Sequence, residues 1–107
     1  MSSIKIRTRR EGENTLIRIL IQHPMETGRR RDEVTGTIIP AHFITDLMVL
    51  HNHVTVIEGK LSTAVSKNPY FSFEIRNAKV GDLIEVIWRD NLGTQDKVET
   101  IINHDES

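Results

Sequence analysis

Five histidines, a run of three arginines and no cysteine set the chemistry open to this 107-residue chain. His51 and His53 form a His-x-His pair, a spacing that on one strand face can chelate zinc. No nearby Cys, His or Glu pattern supplies further ligands, and the same residues suit a polar hairpin turn. His23 precedes Pro24, which favours extended backbone at a strand end. His42 follows Pro40-Ala41 at the start of a later run, so the two rings can meet where the intervening segment leaves and rejoins the fold. They would then serve a small metal-dependent or histidine-based enzyme, or simply hold loop backbone. No Ser-His-Asp order, glycine-rich phosphate loop or pocketed carboxylate pair accompanies them. Arg29-Arg30-Arg31 offers guanidinium forks that suit an oxyanion, or else a solvated loop. His104 stands in the polar tail that ends the chain.

The elements that must place these groups repeat with a period of two, which argues strands. In Tyr70–Arg76 the residues Phe71, Phe73 and Ile75 share a face. Ile4 and Ile6, then Ile17, Ile19 and Ile21, then Ile84, Val86 and Trp88 do the same. Less regular runs occupy 42–50, 53–57, 61–65 and 95–102. Turn signals separate them at Glu11-Gly12-Glu13-Asn14, His51-Asn52-His53, Lys79-Val80-Gly81-Asp82 and Asp90-Asn91-Leu92-Gly93. The pattern predicts an all-β chain, an antiparallel immunoglobulin-like β-sandwich of about seven strands, with a barrel as the alternative. Ile17, Ile19, Ile21, Phe71, Phe73, Ile75, Ile84, Val86 and Trp88 should form its core between two sheets. The irregular stretch 24–40 is the functional-loop candidate, with a small hairpin expected around Thr35-Gly36.

One domain fits the length, with residues 103–107 expected as a flexible tail. The absence of cysteine excludes a disulfide scaffold and a thiolate metal site. Net charge is −1, which argues against a nucleic-acid or acidic-membrane role, and the five aromatics do not interleave with a basic run. Basic residues gather in 1–31, yet strands from both halves should interleave, so a mixed surface is expected. The first residues contain no apolar stretch of signal-peptide type, which taken alone favours the cytoplasm. Two strands carry apolar residues on both faces: Leu16 and Leu20 in the first, Leu83 and Ile87 in the second. Those four are the candidate centre of a contact with another chain.

Three segments, His23-Pro24-Met25-Glu26-Thr27-Gly28, Ile39-Pro40-Ala41-His42-Phe43 and Ser66-Lys67-Asn68-Pro69-Tyr70-Phe71, resemble those of the SoxZ family in this order and spacing. Trp88-Arg89-Asp90-Asn91-Leu92-Gly93 is a fourth point of likeness. The resemblance runs from Ile4 to about Ile102. It implies an immunoglobulin-like, non-catalytic subunit without cofactor, paired with a cysteine-bearing SoxY-like partner that carries covalently bound sulfur between Sox enzymes. It also implies a periplasmic address reached by co-export with a signal-bearing partner. The chain has no thiolate to hold such cargo itself. On this reading His23, Met25, Arg29 and His42 are expected near the partner's arm.

Overall fold

The computed structural model describes residues 2–103; the tail beyond Asn103, with His104, lies outside the described residues. Seven antiparallel strands follow the period-two runs: β1 (Ile4–Glu11), β2 (Asn14–Ile21), β3 (Ile44–His51), β4 (Val54–Lys60), β5 (Tyr70–Ile75), β6 (Leu83–Asp90) and β7 (Gln95–Ile101). They form a three-stranded sheet, β1-β2-β5, and a four-stranded sheet, β4-β3-β6-β7. No helix occurs among the described residues. The fold class is the immunoglobulin-like sandwich that the alternation predicts.

The core lies where the two inner faces meet. Ile17, Ile19 and Ile21 of β2 are fully buried, as are Ile84 and Val86 of β6, and Trp88 is 5% exposed. Trp88 Nε1–H donates to Ser3 Oγ at 3.0 Å, so the indole's polar edge is satisfied at the core's rim. Phe71 and Phe73 depart from expectation: they face the core but remain half-buried, their rings stacked 6.2 Å apart. The reason is position, since β5 is an edge strand and has a neighbour on one side only.

The irregular 42–50 run is explained by a bulge. The register of β3 on β6 shifts between Ile44 and Asp46, so Ile44 and then Leu47 and Val49 all turn inward despite their mixed parity. The 61–65 run is not a strand. Ser62 O accepts from Val65 N and Ser62 Oγ from Ala64 N, closing a turn that lays Leu61 and Val65 against the core. Between β3 and β4, Asn52 (φ 49) and His53 (φ 69) both adopt the left-handed conformation, the backbone of a two-residue turn whose twist suits a hairpin.

The 24–40 stretch is an arm rather than a loose loop. Glu26 bridges His42, and Arg31 bridges Ile38. At the tip Asp32 Oδ1 accepts from the N–H groups of Val34 and Thr35, and Gly36 takes φ 71 to close the predicted small hairpin. Where the arm leaves the sandwich, Gly28 has φ 84, and a Cβ there would stand 3.2 Å from the Ala41 Cβ.

Candidate functional site

The four segments of family likeness, far apart in the chain, meet at one end of the sandwich. Their centre is Asp90, the last residue of β6 and the first of the turn into β7. Its side chain is fully buried. Oδ1 accepts from Leu92 N at 3.0 Å and Thr94 N at 2.9 Å, capping the turn that Gly93 closes with φ 84. Oδ2 contacts His23 Nε2 at 3.1 Å and His42 Nε2 at 2.8 Å. Burial alone would raise the Asp90 pKa, but the hydrogen bonds from His23, His42, Thr94 and Leu92 outweigh it and hold the carboxyl below its ordinary value.

The histidines are held in turn. His23 Nδ1 accepts from Met25 N at 3.2 Å, so the neutral ring carries its proton on Nε2 and donates to Asp90. The ring meets those of His42 and Trp88 edge-on, at 4.5 and 5.1 Å between centroids. Met25 adopts φ 49, is buried, and its Sδ accepts from Ile44 N at 3.3 Å. Asn68 also takes a left-handed φ of 52 and exchanges two bonds with His23: N–H to the His23 carbonyl, and Oδ1 accepting from His23 N, both at 3.0 Å. Asn91 does the same for the fourth segment, accepting from Phe43 N at 2.8 Å and donating Nδ2 to the Ala41 carbonyl at 2.9 Å.

This arrangement sets limits on chemistry. His23 Nε2, His42 Nε2 and an Asp90 oxygen lie within 4.8 Å of one another, near enough for one cation. To ligate through Nε2, His23 would have to move its proton to Nδ1, which already faces the Met25 N–H. The bonds as built therefore describe a hydrogen-bonded hub, in which both nitrogens of His23 and both oxygens of Asp90 are engaged. His42 alone keeps an open side, with its side chain 32% exposed.

His51 and His53 separate onto different carboxylates. His51 Nε2 contacts Asp82 Oδ2 at 2.7 Å, and His53 Nδ1 lies 3.1 Å from Glu85 Oε1. Asp82 is held down at about 2, first by the Lys79 N–H and then by His51. Glu85 is buried although its strand position faces outward; Lys97 leads in lowering its pKa, and the nearby His53 acts in the same direction.

Of the residues expected near a partner's arm, His23 and Met25 are interior, 4% and 5% exposed, whereas Arg29 is exposed and His42 partly so. Arg30 pairs with Glu26 and Arg31 reaches the Gly36 carbonyl at 2.9 Å, so two of the three arginines serve the arm itself. The four candidate contact residues divide between opposite sides of the molecule. Leu16 and Leu20 lie on the outer face of β2, Leu83 and Ile87 on the outer face of β6 in the other sheet. Asp90 was missed as a site residue by sequence reasoning, which took Asp90-Asn91-Leu92-Gly93 as a turn only. The available signal was its place in a segment of family likeness.

The chain matches, over residues 4–101, the protein family described as "Sulphur oxidation protein SoxZ". No curated protein matches it.

Proposed function

The chain belongs to the SoxZ family of sulphur oxidation proteins, and from that premise we propose that it is the non-catalytic subunit of a SoxYZ-type sulfur carrier. The observation that carries this reading is the want of any cysteine in a chain of a sulfur-handling family. The sulfur atom must be held by a thiolate elsewhere, on a SoxY-like partner that this sandwich supports. The engaged state of His23 and Asp90 agrees, since neither keeps a free position for a substrate. We place the pair in the periplasm, reached by co-export with the signal-bearing partner.

The lasting contact with the partner is best suited to the outer face of the four-stranded sheet. Met48 and Ile87 stand opposite each other there and floor a groove of ≈ 220 Å³. Leu83 pairs with Ile101 on the same face, and Leu50 lies beside Met48. An apolar centre with a charged rim is the composition of a persistent interface, which buries about 1,200–2,000 Å² or more.

Co-expression with the neighbouring cysteine-bearing subunit tests the reading. After incubation with thiosulfate and an oxidising Sox enzyme, intact mass should show every adduct on the partner and none on this chain. Ile87→Glu should weaken the heterodimer by about 3 kcal/mol through an unpaired buried charge, while the isolated subunit unfolds at its usual temperature. A sulfur adduct on this chain, or failure to pair with the partner, would overturn the carrier role. Histidine-based metal chemistry is the second reading, favoured by the proximity of His23, His42 and Asp90. Stoichiometric zinc uptake by the isolated chain, abolished by His42→Ala, would establish it.

A further inference from the structure

The outer face of the three-stranded sheet carries a charge pattern that folding alone does not explain. Alternation along β1 turns Lys5, Arg7 and Arg9 outward; on β2 it turns out Leu16, Arg18 and Leu20, and on β5 Tyr70, Ser72 and Glu74. The register sets them in rows across the sheet: Lys5–Leu20–Tyr70, Arg7–Arg18–Ser72 and Arg9–Leu16–Glu74. Two carboxylates share this face with the cations. Glu11 pairs with Arg9 at 3.1 Å, and Glu74 accepts from Asn14 Nδ2 at 3.0 Å. Among the described residues Lys5, Arg7 and Arg18 have no ion-pair partner. Arg7 and Arg18 stand directly opposite each other, a like-charge cross-strand pair that weakens a sheet. Here the expected mixed surface is corrected: half of the basic residues of 1–31 are gathered on one face. The outer face of the other sheet mixes Asp46, Glu58 and Glu85 with Lys60, Arg89 and Lys97.

We propose that this basic face is a docking surface for an acidic patch of another protein, engaged transiently. Guanidinium forks match carboxylates in pairs, which favours an acidic protein surface as the ligand. Tyr70, 59% exposed, and Leu20, 38% exposed, lie beside the cations and supply the aromatic and apolar anchors found at protein interfaces. A second copy does not fit, because a two-fold contact through this face would set cations against cations. The proposal rests on the carrier reading, under which the acidic partner is an enzyme that loads or unloads the carried group. A carrier must meet and leave such enzymes repeatedly. Electrostatic attraction speeds that encounter without a large apolar burial that would slow release.

The test uses the assembled carrier pair and each purified Sox enzyme, with association followed by stopped flow at low and high salt. Arg7→Glu/Arg18→Glu should lower the association rate with at least one enzyme about tenfold at low salt, with the gap closing at high salt. Arg7→Gln/Arg18→Gln should lower it less and raise the melting temperature, because it removes the like-charge pair; this milder variant keeps the test open if the reversal fails to fold. The heterodimer itself should be unaffected by both. Equal rates for wild type and variants with every enzyme would overturn the proposal. So would a loss confined to binding of phosphatidylglycerol vesicles, which would assign the face to lipid. If the wild-type heterodimer fails to form, the carrier reading falls first; if it forms and the rates are equal, only the docking face falls.

Discussion

Asp90 shows how one side chain can hold several distant segments together. One oxygen caps its own turn and the other receives two imidazoles. Asp90→Asn keeps the shape but replaces an acceptor of two ring contacts with a group that cannot serve both. It should cost about 3 kcal/mol at pH 7, as loss of a buried charged partner does, measured by urea unfolding. The pH dependence follows from the lowered pKa. The unfolded carboxyl binds its proton near pH 3.9, whereas the folded one resists to lower pH. As pH falls through that window the unfolded state binds more protons, so stability drops, and above it the contribution is complete. Asp82, held at about 2, acts in the same direction. The wild type should therefore lose stability between about pH 4 and pH 2, and the difference from Asp90→Asn should narrow there; a constant difference would remove Asp90 as its source. The sequence showed His23 and His42 as candidates and suggested that they approach each other. It did not show what joins them, because an Asp-to-Gly turn has the same local signature whether or not its carboxylate also reaches inward.

The strands were readable wherever alternation ran unbroken, as in β2 and β6. They blurred where a bulge changed parity, as at Thr45 in β3, since a single inserted residue swaps the faces beyond it. The 61–65 run failed for another reason: Leu61 and Val65 have the same parity yet pack from a turn, and two apolar positions do not distinguish the cases. The arm is the element whose geometry depends most on one residue. Gly28→Ala would force a side chain into φ 84 and against Ala41. It should destabilise the chain by about 1–2 kcal/mol, seen as a lower melting temperature, and should speed proteolytic cutting within 29–37. An unchanged melting temperature and cutting rate would mean that the arm shifts to accept the methyl group.

At the scale of the whole molecule, the two outer faces differ: one has an apolar centre around Met48 and Ile87, the other rows of arginine around Leu20 and Tyr70. The sequence marked Leu16, Leu20, Leu83 and Ile87 as surplus apolar residues. It could not place them on opposite sides, because sheet order is a long-range property that alternation does not encode. The hub at the sandwich end also bears on how the chain reaches its fold. Its bonds join residues 67 apart for His23 and Asp90, 48 apart for His42 and Asp90, and 45 apart for His23 and Asn68. Closing loops of that length before neighbouring hairpins exist is entropically costly. The hairpins β1-β2, β3-β4 and β6-β7 should therefore form first, and the hub should close after the rate-limiting barrier. A residue that acts late restrains unfolding and leaves the folding rate almost untouched. In a chevron measurement Asp90→Asn should raise the unfolding rate about a hundredfold or more, with little change in the folding limb. The hub would then act as a latch whose contribution is the lifetime of the folded subunit rather than the speed of its formation.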